Sequence, residues 1–318
     1  MRERAGLRWD SVAAMSGMAP TVQDALAAAD YAYGTHQGHR ALHAKGTVLT
    51  GTFTPTGEAA ALSRAVHLQD GTYPVTVRVS NGSGNPADPD WSPGVRGLAV
   101  KFHLPDGSAT DILSQTIERF PAHNPEQFLQ LILTERRRAT AWRMPLFVAQ
   151  HPSAAGAMPK VLYGLVPPLS YATCKYFAIH AFRFIDADGD SRYVRYTFVP
   201  EAGVRHLRPW EMARRSPDYL QQDIRARLER GPVRFRLELQ VAADGDPVDD
   251  LAIAWPKDRR RVTAGTLELT GLDAERDRGP DVLTFDPTRL TDGIEVSGDP
   301  VLRFRPSVYA ESGARRTL

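Results

Sequence analysis

A chain of 318 residues that is 42% hydrophobic and 24% charged carries enough apolar mass for one large core or two ordinary ones, which excludes a minimal scaffold. A formal net charge of +2, with basic runs no longer than the triplets Arg136-Arg137-Arg138 and Arg259-Arg260-Arg261, excludes an electrostatic footprint for nucleic acid. The single cysteine, Cys174, excludes an internal disulfide and any paired-thiol redox or zinc site, and within "SYATCKYF" it reads as a buried, inert thiol.

The opening stretch "MRERAGLRWDSVAAMSGMAP" begins basic, but its apolar run is broken by Ser11, Ser16 and Gly17, so residues 1–20 read as an extension and not as a signal peptide. No stretch approaches the ~20 apolar residues of a membrane helix, and the expectation is a cytoplasmic protein without a membrane partner. Thr21 is a good N-cap for the helix that follows, which fails around Gly34 and Gly38. From Ala44 the period changes to two: "TVLTGTFTPT", "YPVTVRVS" and "RGLAVKFHL" read as strands, and "HLPDGSATDIL" carries a Pro-Asp-Gly hairpin turn.

Between "PEQFLQLILTERRR" and "PKVLYGLVPP" the apolar spacing becomes helical. Two more strands, "AIHAFRFI" and "RYVRYTFV", flank the polar turn "DADGDS". A helix capped by Ser216 and Gly231 follows, then the strands "VRFRLELQVA" and "RVTAGTLELTGL", a long irregular segment, and a last helix around Tyr309. Many alternating strands without a βαβ rhythm predict an α+β protein: one domain, residues 21–318, built on a closed antiparallel β-barrel with added helices.

Three segments carry candidate chemistry. "HRALHAKG" places Arg40, His43 and Lys45 where the first helix gives way to the first strand. In "VTVRVSNGSG" alternation sends Val77 and Val79 to one face and Arg78 and Ser80 to the other, so the face bearing Arg78 needs either solvent or an anion. In "LRFRPSVYAESGARR" helical spacing puts Arg305 and Tyr309 on one face and returns Arg316 to it two turns later. A guanidinium beside a phenol favours the phenolate, a hard ligand for ferric iron.

With "RGLAVKF", "WPKDRRRV" and "FDPTRLTDGIE" in the same order, these segments make the chain resemble the haem catalases and their shortened relatives, the catalase-related peroxidases. The resemblance implies a haem b (iron protoporphyrin IX) cofactor. It implies His43 as the distal histidine that moves the peroxide proton, Ser80 as the hydroxyl holding its imidazole from an inward position in the barrel, and Arg40, Arg78 and Arg316 as partners of the haem propionates. It also implies Tyr309 as the proximal iron ligand with Arg305 at its oxygen, and Phe128 as an aromatic stacked near the haem.

The sequence departs from the family pattern at Gln115, which stands where a distal asparagine is usual, and at Leu98, where an aromatic is common. The C-terminal region of large catalases, with its nicotinamide nucleotide site, has no counterpart after Arg316. These departures point to a peroxidase that reduces hydrogen peroxide or organic hydroperoxides with an organic electron donor and has weak or no catalase activity. Two alternatives stay open: a hydroperoxide-rearranging enzyme of the allene oxide synthase kind, disfavoured by Leu42 where that group has threonine, and a non-catalytic haem- or lipid-binding barrel. Self-association into a homo-oligomer is compatible with the resemblance, although no heptad calls for it.

Overall fold

The structure is a computed structural model that describes residues 19–134, 140–273 and 283–316; the predicted extension falls almost wholly outside these. Helix α1 (Val22–Tyr33) begins at Thr21 with a capping box: the Asp24 amide donates to the Thr21 hydroxyl and the Thr21 amide donates to the Asp24 carboxylate. Gly34, at φ +88°, ends it.

Ten strands follow among the described residues: β1 (Gly46–Pro55), β2 (Tyr73–Asn81), β3 (Arg96–His103), β4 (Ala109–Gln115), β5 (Tyr176–Phe177), β6 (Phe182–Ile185), β7 (Ser191–Pro200), β8 (Val233–Val241), β9 (Arg261–Leu272) and β10 (Ile294–Val296). Neighbours pair antiparallel, and β7–β8 and β1–β9 contacts close the order β1-β2-β3-β4-β5-β7-β8-β9 into a barrel. Strand β7 is shared: its end near Phe198 pairs with β5 and its beginning near Val194 pairs with β6, to which β10 adds. The predicted barrel is therefore present, and the segment read as irregular contributes β10.

The inward residues of the barrel form one apolar core that includes Leu49, Phe53, Val75, Val77, Val79, Leu98, Val100, Phe102, Phe198 and Phe235. Phe53 and Phe102 meet edge to face at 5.2 Å. Each large side chain buried here contributes about 1.5–3 kcal/mol, so the interior is a packed core and not a cavity. This corrects the inward placement of Ser80: because Val77 and Val79 fill the interior, Arg78 and Ser80 lie on the outer wall.

Helices cover that wall. Helix α1 packs against α2 (Pro125–Thr134) and the C-terminal α6 (Pro300–Ala314), with Ala25, Ala28, Leu129, Ile132 and Leu133 buried between them. Arg315 ties the end of α6 back to α1 through Asp30 and Gln23. The insertion between β4 and β5 continues with α3 (Thr140–Gln150) and α4 (Met158–Gly164). Helix α5 spans Tyr219–Leu228, three residues inside each predicted cap: Ser216 instead accepts the Asp218 amide in a turn, and Gly231 lies beyond the last turn at φ +149°. Cys174 is buried as expected, its thiol donating to the Ser170 carbonyl at 3.3 Å and pushed up to about 12 by burial. No helix among the described residues is long and apolar enough to cross a membrane.

Candidate functional site

His43 sits where the chain leaves the α1 loop for β1. Its φ of +57° is the only positive value at a non-glycine residue among those described, and two hydrogen bonds to the β2–β3 connection fix it: the His43 amide to the Gly82 carbonyl at 3.1 Å and the Ala44 amide to the Ser83 carbonyl at 3.0 Å. A left-handed conformation for such a residue is held only where its surroundings impose it. The imidazole Nδ1 lies 3.0 Å from the Ser80 hydroxyl on the outer face of β2.

Burial first, and then the guanidinium groups of Arg78, Arg305, Arg40 and Arg96, lower the His43 imidazole to about 3. Cations from β2, α6 and the α1 loop thus act on one side chain, while the Arg96 guanidinium, held by the Asp90, Ser92, Gly94 and Val95 carbonyls, adds a smaller influence. Arg78 is buried and reaches the Ala44 carbonyl at 3.3 Å, against Gly46, where a Cβ would come within 2.7 Å of the guanidinium. Arg40 donates to the Leu283 carbonyl at 2.6 Å.

The second half of the site is on α6. Asp299 caps this helix, accepting the Val301 and Leu302 amides, and Pro300 at its first turn needs no acceptor. One face then carries Arg305 and Tyr309. Arg305 donates through Nε to the Tyr309 oxygen at 2.8 Å and makes a second contact to it through Nη2. Its remaining nitrogen, Nη1, meets His180 Nε2 at 2.9 Å, and His180 Nδ1 meets the Asp299 carboxylate at 2.7 Å. Burial keeps the His180 imidazole below its ordinary value against the pull of Asp299, so a neutral ring donating to Asp299 and accepting from Arg305 satisfies every contact. The line Asp299–His180–Arg305–Tyr309 orients the guanidinium and aims it at the phenol oxygen.

The structure brings His43 and Ser80 into contact, joins Arg305 to Tyr309, and sets Arg40, Arg78 and Arg305 close enough to act on His43. Phe128 is half-buried in the same apolar cluster as Leu42, Phe304 and Val308, and meets Phe120 at 4.9 Å with the rings tilted by 30°. Gln115 ends β4 opposite Gly97, which is opposite Ser80; directly paired residues share a face, so Gln115 stands on the same outer face as Ser80, but no hydrogen bond joins it to His43. Arg316 differs from expectation: α6 ends at Ala314 with Arg315 as its cap, so a turn and not helical spacing places Arg316. Its guanidinium lies by Gly313, where a Cβ would be 3.7 Å from Nη2 and 3.9 Å from the Thr284 hydroxyl, in the corner that Arg40 reaches through Leu283.

Sequence reasoning missed His180, Asp299 and Gly97. Asp299 was recoverable, because Asp-Pro ahead of an apolar run is a helix-start signal. His180 lies in an alternating apolar stretch with its partner 119 residues away, and nothing local marks it. Half-buried apolar side chains, guanidinium groups and a guanidinium-bonded phenol are the residue types that would hold a flat apolar macrocycle bearing carboxylates and a metal.

A family model described as Catalase matches residues 31–317. The chain is 47% identical to a catalase-related peroxidase of Mycolicibacterium paratuberculosis, over 89% of this chain and 91% of the relative. It is 34% identical to a catalase-related peroxidase of Synechococcus elongatus, over 96% and 90%. Among solved structures it superposes on a fungal catalase with a TM-score of 0.80 at 22% identity, covering 87% of this chain and 59% of that one. It superposes on a bacterial catalase at 0.79 and 23%, covering 87% and 57%; the chain thus spans under two thirds of either catalase, and at such identities the likeness speaks for the fold. Matched over nearly its whole length by model and by relatives alike, the chain belongs to the catalase family.

Proposed function

We propose that this chain is a haem b peroxidase that reduces hydrogen peroxide or organic hydroperoxides with an organic electron donor and turns over little peroxide as a catalase. The coarser statement follows from family membership: the chain is a peroxide-acting oxidoreductase of a haem-dependent family. What supports the finer reading is the pairing of His43 with Ser80 and of Arg305 with Tyr309, with Arg78, Arg305 and Arg40 all acting electrostatically on His43.

In this reading Tyr309 ligates the iron, Arg40, Arg78 and Arg316 pair the propionates, and Phe128 with Leu42, Phe304 and Val308 walls the ring. When bound, the haem supplies a ferric centre that takes up the oxidising equivalents of the peroxide. The protein handles the protons. With the Nδ1 proton donated to Ser80, a neutral His43 leaves the Nε2 lone pair open as an acceptor. Nε2 accepts the hydroperoxide proton and returns it to the departing oxygen. Over the cycle ROOH becomes ROH and water, with two electrons and two protons from the donor. Arg305 keeps two N–H groups on the Tyr309 oxygen, which supports an anionic ligand. Gln115 offers a distal amide on a stem one methylene longer than asparagine, and a displacement near one ångström can cost ~100-fold, which underlies the weak catalase activity.

The test is a steady-state assay of the haem-loaded protein with hydrogen peroxide, a dye donor and an oxygen electrode. Dye oxidation that outpaces oxygen release is expected, and rapid oxygen evolution without dye oxidation overturns the reading. Tyr309→Phe is expected to lose haem or change its ferric spectrum, and an unchanged spectrum removes Tyr309 from the iron. Gln115→Asn is expected to raise oxygen evolution.

A further inference from the structure

We propose that Gly97 is a positioning residue for His43: the side chain it lacks is the space in which the imidazole rests. The proposal builds on the reading of His43 as the proton carrier, and no chemistry of Gly97 itself is involved.

Gly97 is the second residue of β3, in ordinary extended backbone without the positive φ that would call for glycine. A glycine in a strand gives up about 0.5–1 kcal/mol against alanine, so its presence there needs another cause. Space supplies it. A Cβ at Gly97 would lie 2.9 Å from His43 Cε1, 2.9 Å from His43 Nδ1 and 2.9 Å from the Ser80 hydroxyl, all well inside van der Waals contact. Two of these are the atoms of the hydrogen bond that orients the ring.

The imidazole cannot slide aside without loss. Its backbone is held at φ +57° by the bonds to Gly82 and Ser83, and Ser80 lies in the centre of a row, paired with Gly46 on β1 and Gly97 on β3. The ring therefore rests against a point of the barrel wall that carries no side chain, with Gln115 next along the same row. A methyl group at position 97 lifts the ring off the wall, stretches the Nδ1–Ser80 bond and moves Nε2 from where a peroxide proton would meet it.

The test compares haem-loaded Gly97→Ala with the parent. Haem content per chain is expected to be unchanged, because a Cβ at Gly97 would press first on His43 and Ser80 and not on the proposed iron ligand or propionate partners. The rate constant for reaction with peroxide is expected to fall about 100-fold, as for an ångström-scale displacement, while the KM for the dye donor holds. A crystal structure is expected to show Nδ1 and the Ser80 hydroxyl beyond hydrogen-bond distance. Gly271→Ala, a strand glycine on β9 whose Cβ would meet only the Thr50 hydroxyl, serves as the control and is expected to keep the parent rate. A Gly97→Ala protein with the parent rate and an intact Nδ1–Ser80 bond overturns the proposal. If that variant does not fold, Ser80→Gly/Gly97→Ala, which keeps the volume of the row, is compared with Ser80→Gly; equal rates overturn it. A parent protein without peroxide turnover would sink the peroxidase reading instead, and the crystallographic distance would still decide the role of Gly97.

Discussion

His43 and His67 are kept neutral by different means. His43 is lowered by burial and by the influence of nearby guanidinium groups, whereas burial alone lowers His67 to about 3, and its Nδ1 has no partner. Both start from an ordinary value of 6.5, so between that pH and about 3 the unfolded chain binds protons that the folded one refuses. Stability therefore falls as pH drops through this window, and His180 adds in the same direction. Urea midpoints measured from pH 7 to pH 4 should decline, and His67→Leu, which removes a buried unpaired nitrogen against Phe102, should flatten that decline and raise the midpoint at neutral pH. His180→Phe leaves Arg305 without its acceptor. Haem dissociation should then quicken by about 10- to 100-fold, the usual cost of losing a group that orients a metal ligand, as read by transfer of haem to an acceptor protein.

Helix α6 joins stability to chemistry, because its capping carboxylate is also the first group of the line that ends at Tyr309. Asp299→Ala should therefore cost more than the ~1 kcal/mol of a lost cap, and its thermal midpoint should fall further than that of Thr21→Ala, which ends only the box on α1. Much of this element was legible beforehand: spacing placed Arg305 and Tyr309 on one face, and alternation placed β1 to β3 nearly to the residue. Arg316 was misplaced because spacing cannot say where a helix stops, and Ser216 because a serine can close a turn as readily as cap a helix. Strands β5 and β10 are too short for alternation to register. The direction in which Arg78 and Ser80 face was out of reach for a deeper reason: a period of two separates two faces without saying which one is the inside. Gly97 carries no chemistry, so only coordinates reveal what its absence of atoms allows.

At the scale of the whole molecule, a buried carboxylate fastens the segment after residue 283 to the barrel. Asp111, fully enclosed on β4, accepts Lys101 at 2.8 and 3.0 Å, Arg289 at 2.8 Å and the Asp286 amide at 2.8 Å. Burial raises its carboxyl and lowers Lys101, and each offsets part of the other's cost. Asp111→Ala strands a buried ammonium and should lower stability by about 3–5 kcal/mol, seen as a large drop in unfolding temperature. Because Leu283 and Thr284 border the corner of Arg40 and Arg316, weaker haem retention should accompany it.

The barrel is not sewn evenly. Strands β2 and β3 share seven residue pairs from Val75 to Asn81, whereas β4 meets β5 only through Gln115 and Phe177. Amide protons on either side of that single stitch should trade with deuterium long before those of β2, which would make the place where the hoop gapes the same place where Gln115 is anchored.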